Sequence, residues 1–276
     1  MDLEFTKMHG LGNDFIVLNG LDKSIRLTGD QIRFLSDRHF GVGCDQLLLI
    51  EPARDGRSDV RYRIFNADGN EVQQCGNGAR CIAEFLYREG IIRKDTVNAE
   101  TDEGVIRIYR REDGMYTVDM GVPGFEPAKI PMRAGERADS YELRLDDISV
   151  EVYALSMGNP HAVLPVEDVD EAPVETLGPR IQQHPDFPEG VNAGFMQIID
   201  REHIRLRVYE RGAGETLACG SGACAAVVAG RMAGRLDKEV VVGLKGGTLV
   251  ISWQGEGETV RMSGPATMVY KGRISI

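Results

Sequence analysis

The sequence predicts an α+β fold of two structurally similar halves, each a β-sheet wrapped around a central helix, with an active site in the cleft between them. Three observations predict it. Residues 61–83 and 205–227 repeat one another at an offset of 144 positions. Most other segments alternate apolar and polar residues or are rich in β-branched side chains, as strands are. Each repeat ends in Cys-Gly-x-Gly followed by an apolar segment of helical length.

The repeat reaches well beyond these two segments. Asn13 and Gln46 correspond to Asn159 and Asn192 at an offset of 146 positions. No period of 20–50 residues is present, so the pattern indicates domain duplication and not a solenoid. Prolines at 123, 127 and 131 mark the break. We therefore predict an N-terminal half over 1–120 and a C-terminal half over 121–265.

The secondary structure follows from the periodicity. Apolar segments at 79–90 and 222–234 are predicted as buried helices that end at Gly90 and Gly234. A third helix is predicted over 30–39, with Thr28 or Asp30 as its N-cap. Strands are predicted over 59–66, 105–110, 203–210, 239–243, 248–253 and 267–276.

Composition limits the classes of partner. The chain has 276 residues, with 43 acidic against 32 basic side chains. This acidic balance argues against nucleic acid or an anionic membrane as a partner. No apolar run approaches the roughly 20 residues that span a bilayer, and the N-terminus lacks a signal-peptide layout. We expect a cytoplasmic protein.

Five cysteines, at positions 44, 75, 81, 219 and 224, indicate free thiols. An odd number without an export signal does not predict a disulfide framework. Cys75 and Cys81 are six residues apart and Cys219 and Cys224 five apart, which does not suit the short ligand spacing of zinc sites. No metal is expected, and Cys44, Cys81 and Cys224 are predicted to be small buried groups.

The two Cys-Gly-x-Gly loops carry the chemistry. Their glycines let the backbone approach a ligand closely and leave amide N–H groups unpaired at the start of a helix. That helix end favours a carboxylate or a phosphate. The same field is expected to lower the pKa of a neighbouring thiol from about 8.5 toward neutrality. Each loop is thus predicted to place a reactive sulfur beside an anion-binding turn.

Other polar residues fall at matched places in the repeat. Asn66 in the first half corresponds to Glu210 in the second. His161 aligns with Phe15 and so lacks a polar counterpart, and Arg211 stands where the first half has Ala67. A cleft that distinguishes the two ends of a substrate requires differences of this kind.

The chain closely resembles the diaminopimelate epimerase family in the segments MHGLGNDFIVLN, GCDQ, CGNGARC, SMGNPHAV, PEGVN and YERGAGETLACGSGACA. The resemblance implies a cofactor-independent isomerase that interconverts LL- and meso-diaminopimelate for lysine and peptidoglycan synthesis. It also implies that the last strand, about 266–276, returns to the first half. A homodimer is an expected state.

The resemblance implies roles for individual residues. Cys75 takes the α-proton of the LL isomer and Cys219 that of the meso isomer, while His161 and Glu210 set the protonation of the two thiols. The reacting carboxylate is held by backbone amides of Gly76, Asn77, Gly220 and Ser221. The reacting amino group lies near Asn13, Gln46 and Glu210. The distant, unreacting centre is read by Asn66, Asn159, Asn192 and Arg211.

Three alternatives stay open. Proline racemase and hydroxyproline epimerase relatives share the duplicated fold and both cysteines, but we expect His in place of Asn77 and no Arg211 in them. A thiol redox protein would carry Cys-x-x-Cys, which this chain lacks. A non-catalytic amino-acid binder has no need of two reactive thiols, and an activity assay distinguishes it.

Overall fold

The computed structural model describes residues 1–72 and 75–276, which contain eighteen strands, four α-helices and one 3₁₀ turn at Pro127–Lys129. The strands, numbered β1 to β18 in chain order, are Asp2–Gly10, Asn13–Asn19, Gln46–Glu51, Val60–Asn66, Glu71–Val72, Thr96–Thr101, Gly104–Arg110, Tyr116–Asp119, Tyr141–Leu145, Ile148–Ser156, Pro160–Pro165, Asn192–Ile198, His203–Glu210, Gly214–Glu215, Glu239–Leu244, Gly247–Ser252, Arg261–Gly264 and Thr267–Ser275. The helices α1 to α4 are Gly29–Ser36, Gly76–Arg88, Val174–Gln182 and Gly220–Met232. Every strand predicted above is present, with ends that shift by at most one residue.

The chain divides into two compact units. The first comprises Met1–Asp119 together with Ser263–Ile276, and the second comprises Met120–Met262. In the first unit, β1 pairs antiparallel with both β2 and β18, so the last strand of the chain completes the unit that begins it. Strand β2 then pairs parallel with β3, and β3 pairs antiparallel with β4.

The second unit repeats this pairing order. Strand β10 pairs antiparallel with β11, β11 parallel with β12, and β12 antiparallel with β13. In the parallel pairs, Phe15 lies opposite Gln46 and His161 lies opposite Asn192. The second pair lies 146 positions after the first, which is the offset seen in the sequence. The duplicated α+β fold predicted from the sequence is therefore confirmed.

Helices α2 and α4 are the central helices of their units. Ten residues of each thirteen-residue helix are buried. After each C-cap the chain turns through a glycine with positive φ, Gly90 at 68° and Gly234 at 70°, a conformation that costs glycine little. Both predicted helix ends are confirmed. Each helix begins three or two residues earlier than predicted, because its Cys-Gly-x-Gly motif forms the first turn.

Each unit also carries a second helix. Thr28 caps α1 through a reciprocal capping box with Gln31, which confirms one of the two predicted caps, although the helix ends at Ser36 and not at His39. Helix α3 was not predicted. Gly178 lies inside it where a Cβ would come within 2.6 Å of Tyr209, so glycine is needed for the helix to pack there.

Candidate active site

Two cysteines occupy the same structural position in the two units. Cys75 is the N-cap of α2, and Cys219 is the N-cap of α4. Each sulfur accepts a hydrogen bond from a backbone N–H three residues later, from Gly78 and from Gly222, at 3.4 Å in both cases. Since N-caps are usually Ser, Thr, Asp or Asn, a thiol in this place is an unusual choice for helix stability alone.

The helix starts provide the groups that an anion needs. Gly76 and Asn77 begin α2, and Gly220 and Ser221 begin α4. The first N–H groups of a helix have no acceptor within it, and the helix dipole adds a partial positive charge there. Each unit thus presents a thiol next to donors that suit a carboxylate.

The second glycine of each Cys-Gly-x-Gly motif, Gly78 or Gly222, is closely packed. A Cβ at Gly222 would stand 3.0 Å from Val208 Cγ2 and 3.1 Å from the Cys219 sulfur. At Gly78 the closest approaches are looser, 3.2 Å to Leu48 Cδ2 and 3.5 Å to the Cys75 Cβ. We call the thiol of each unit, together with the residues around it, a half-site. The half-site of the second unit is the more tightly packed of the two.

In the first unit, Asn13 stands next to the thiol. The Cys75 sulfur lies 3.8 Å from Asn13 Oδ1, and Asn77 Nδ2 donates to the same oxygen at 3.2 Å. Asn13 Nδ2 donates to Asp45 Oδ2 at 3.0 Å. The carbonyl end of Asn13 therefore faces the thiol. The structure brings Asn13, Cys75 and Asn77 together in one half-site.

Gln46 and Asn66 form a second polar pair in the same unit. They lie opposite one another on β3 and β4, and Gln46 Nε2 donates to Asn66 Oδ1 at 2.8 Å. Both side chains are partly exposed. Strand pairing therefore aligns the two amides that the sequence predicted near a ligand.

In the second unit, the thiol stands next to a hydroxyl. The Cys219 sulfur lies 3.7 Å from Ser221 Oγ, and Asn159 Nδ2 donates to that oxygen at 3.3 Å. Asn159 Oδ1 lies 3.0 Å from His161 Nε2. Because Asn159 offers its carbonyl oxygen, His161 Nε2 carries the proton and Nδ1 is left as an acceptor.

His161 is neutral at ordinary pH. It is 1% exposed. Burial, and secondarily the positive charge of Arg211, lowers the pKa of His161 to about 3. A neutral imidazole has one unprotonated ring nitrogen, which can accept a hydrogen bond.

Glu210 stands beside Cys219. Burial raises the pKa of the Cys219 thiol well above its ordinary value, and the charge and hydrogen bond of Glu210 raise it further. The Gly222 N–H acts in the opposite direction but does not prevail. The expectation that the helix start lowers the thiol pKa is therefore wrong for Cys219, because desolvation outweighs the helix field.

The Asn192 side chain hydrogen-bonds to the backbone of Arg211. Asn192 is 3% exposed, donates to the Pro160 carbonyl at 3.1 Å and accepts from the Arg211 N–H at 2.8 Å. The Arg211 guanidinium donates to the Glu189 carbonyl at 2.9 Å. Asn192 thus holds the chain at Arg211, a contact that the sequence analysis did not anticipate.

Three further residues join the half-sites without having been predicted. Asp45 and Arg80 bond to Asn13 and Asn77, and Thr216 donates its hydroxyl proton to Glu210 Oε1. Arg80 was visible inside the CGNGARC motif, where its repeat counterpart is Cys224. Across 1–72 and 75–276, no three His, Cys, Asp or Glu side chains converge as a metal site. Within the same ranges no helix is long and apolar enough to cross a membrane.

The architecture matches solved structures over almost the whole chain. A hydroxyproline epimerase from Agrobacterium vitis superposes with a TM-score of 0.72 at 17% identity, over 99% of this chain and 92% of that one. A probable proline racemase from Agrobacterium radiobacter gives 0.73 at 17% identity, over 99% and 93%. At this identity the likeness shows the fold alone. The protein therefore belongs to the class of duplicated α+β folds that these structures share.

Sequence comparison is more specific. The family model of diaminopimelate epimerase matches residues 5–126 and 153–269. The diaminopimelate epimerase of Nitrosomonas europaea is 57% identical and that of Chromobacterium violaceum 56% identical, each over 100% of both chains. The chain belongs to the diaminopimelate epimerase family, and it is an isomerase.

Proposed function

We propose that the protein inverts one stereocentre of diaminopimelate, converting the LL isomer to the meso isomer and back, with no cofactor. The observation that carries this proposal is the matched pair of thiols, each capping a central helix with its sulfur 3.4 Å from a glycine N–H. Two thiols acting on opposite faces of one α-carbon remove the need for a single base, or the intermediate, to turn over.

Two proton transfers invert the stereocentre. The Cys75 thiolate removes the α-proton of the LL isomer and becomes a thiol. The Cys219 thiol donates its proton to the opposite face of the carbon and becomes a thiolate. In the reverse direction the two cysteines exchange roles. The raised pKa of Cys219 supports its role as the proton donor in the forward reaction.

The intermediate requires charge stabilisation. Removal of the α-proton moves negative charge onto the carboxylate, producing an enediolate-like dianion. We propose that the amides of Gly76, Asn77, Gly220 and Ser221 bind these oxygens, because they begin the two central helices. Removing one such donor typically costs about 3–4 kcal/mol of transition-state stabilisation in other enzymes.

The remaining site residues are proposed to orient the substrate. Asn13, Gln46 and Glu210 present oxygen atoms suited to the reacting ammonium group. Asn66, Asn159, Asn192 and Arg211 read the distant centre, with the Arg211 guanidinium pairing with its carboxylate. His161, neutral and with Nδ1 unprotonated, is proposed to set the protonation of Cys75 by accepting a hydrogen bond at that nitrogen.

The assay that tests this proposal compares substrates. Purified, reduced protein is incubated with LL-diaminopimelate, L-proline and trans-4-hydroxy-L-proline, and the products are resolved by chiral chromatography. Formation of meso-diaminopimelate alone is expected. Inversion of proline or hydroxyproline without inversion of diaminopimelate would favour the racemase alternative, and inversion of none would favour an amino-acid binder.

We also propose that the enzyme acts in the cytoplasm as a homodimer. The exposed side chains of Val269 and Tyr270 on β18 supply apolar surface that a second copy could cover. Light scattering on the 30.4 kDa chain tests this, since a monomeric mass at micromolar concentration contradicts it.

A further inference from the structure

A chain of side-chain hydrogen bonds ends at an ion on each side of the first half-site. Asp45 Oδ2 accepts from Asn13 Nδ2 at 3.0 Å, and Asn13 Oδ1 accepts from Asn77 Nδ2 at 3.2 Å. Asn77 Oδ1 in turn accepts from Arg80 Nη2 at 2.5 Å. We name this series, Asp45–Asn13–Asn77–Arg80, the amide relay.

The ionic ends determine how both amides point. A carboxylate only accepts, so it fixes the NH₂ end of Asn13 toward Asp45. A guanidinium only donates, so it fixes the carbonyl end of Asn77 toward Arg80. Each amide reinforces the other between the two ions. The Asn13 carbonyl is consequently held toward the Cys75 sulfur, at 3.8 Å.

Arg80 is placed for this task by its surroundings. It is 0% exposed, and burial of a guanidinium is costly unless the group is paired and hydrogen-bonded. A Cβ at Gly10 would stand 2.9 Å from Arg80 Nη2, so the glycine leaves room for the guanidinium. The packing around Gly10 thus accommodates the arginine whose guanidinium bonds to Asn77.

The second unit has no such relay. By the repeat offsets, Arg80 corresponds to Cys224, Asp45 to Val191 and Asn77 to Ser221. Its Asn159 bonds instead to a hydroxyl and to a neutral imidazole. The relay is therefore a feature of one half-site, and not a general requirement for building the fold.

We propose that Arg80 and Asp45 are positioning residues that lock the orientation of Asn77 and Asn13 beside Cys75. The effect of this lock on catalysis rests on the proposed function. The fixed orientation of the two amides does not depend on that function. Neither residue touches the reacting atoms. Each acts through an asparagine.

The lock is tested without substrate. The chain has eight asparagines, so ¹⁵N-asparagine labelling gives a small set of side-chain amide signals. Arg80→Met is expected to shift the Asn13 and Asn77 signals and leave those of Asn159 and Asn192 in place. Arg61→Met is the matched control, because Arg61 is also buried in the first unit but pairs with Glu51 and Asp102.

Thiol reactivity provides a second measurement. Alkylation by iodoacetamide at fixed pH is measured for each cysteine by peptide mass spectrometry. In Arg80→Met the rate at Cys75 is expected to fall about tenfold, because a positive charge favours the reactive thiolate. Cys219 in the same molecule should be unaffected, and Arg80→Lys should keep the Cys75 rate within about threefold by preserving the charge. Faster alkylation of Cys44, Cys81 and Cys224 together would show a merely structural role and overturn the proposal.

Asp45, at the exposed end of the relay, tests the lock even if Arg80→Met does not fold. Asp45→Ala should shift the Asn13 amide signal and lower kcat about tenfold, since small misplacements near a reacting centre are costly. Arg38→Ala, which removes a guanidinium that pairs with the same carboxylate, should do neither. Unshifted Asn13 signals in Asp45→Ala overturn the lock. Shifted signals in a protein that inverts no diaminopimelate uphold the lock and refute only the proposed function.

Discussion

The two half-sites have the same backbone arrangement but differ in the side chains around their thiols. Cys75 is partly exposed and lies beside an amide relay that ends at Arg80, whereas Cys219 is 3% exposed and lies beside Glu210. The first setting places a cation two amides away from the thiol, and the second places an anion directly beside it. Duplication therefore accounts for the shared geometry, and the residues that differ between the halves give the two thiols different surroundings. The proposed reaction needs one thiolate and one thiol, and different surroundings are one way to provide them.

The largest expected effect tests whether both thiols are needed. Cys75→Ala and Cys219→Ala should each lower kcat/KM by about 10⁴-fold or more, as loss of an essential group does in other enzymes. Cys44→Ala, which alters a core cysteine of the first unit, should stay within about threefold. Rates are measured by chiral chromatography in both directions. Near-normal turnover in either site variant would refute a two-thiol mechanism.

The tighter packing of the second half-site predicts unequal glycine substitutions. Gly222→Ala should lower kcat/KM about 100-fold, because the new Cβ displaces the Cys219 sulfur or Val208. Gly78→Ala should cost only about tenfold, since its neighbours lie farther away. Steady-state kinetics of both variants, with melting temperatures as the folding control, check the order. A larger loss from Gly78→Ala would contradict the packing comparison.

The neutral histidine occurs only in the second unit, where its counterpart in the first is Phe15. Its pKa of about 3 lies below that of an unfolded histidine, so the unfolded chain binds a proton that the folded chain does not. His161 therefore contributes stability above about pH 6.5 that is lost as the pH falls toward 3. Between pH 8 and pH 5 the loss is about 2 kcal/mol. Urea unfolding at both pH values should show wild-type protein losing about 2 kcal/mol more than His161→Gln. An equal loss in both proteins would show that the buried imidazole is not neutral.

The smallest predicted effect concerns Glu210. Glu210→Gln removes a like charge from beside Cys219, which lowers the pKa of that thiol and raises its thiolate fraction at any pH below that pKa. Alkylation of Cys219 in the free protein should accelerate by about tenfold, corresponding to about one pKa unit. Burial, the larger cause, is left in place, so the pKa stays above its ordinary value. An unchanged Cys219 rate, with Cys75 as the reference in the same digest, would assign the whole shift to burial.

Local sequence patterns predicted most of the fold. Alternation marked strands such as β13 to the residue, and Gly90 and Gly234 marked two helix ends. Helix α3 was missed because Gly178 and Pro179 are poor helix formers, and its stability comes from buried Val174, Leu177 and Ile181. Propensity does not register that tertiary contribution.

The site was predicted less completely, for a physical reason. Repeat symmetry identified the cysteines, but Asp45 and Arg80 lie at positions where the two halves differ, so symmetry gave no signal for them. The direction of the Cys219 pKa also could not follow from the motif. It depends mainly on burial, which is a property of the folded unit, and less on the helix start that the motif encodes. The individual roles of the substrate-binding residues stay predictions.

Isotope distribution at early conversion tests the two-thiol account most directly. LL-diaminopimelate is converted in heavy water to a few per cent, and substrate and product are analysed separately by mass spectrometry. The account predicts one deuterium in the meso product and none in the remaining LL substrate, because the proton removed by one sulfur is not the one delivered by the other. Undeuterated product, with the original hydrogen carried across to the opposite face, would contradict it.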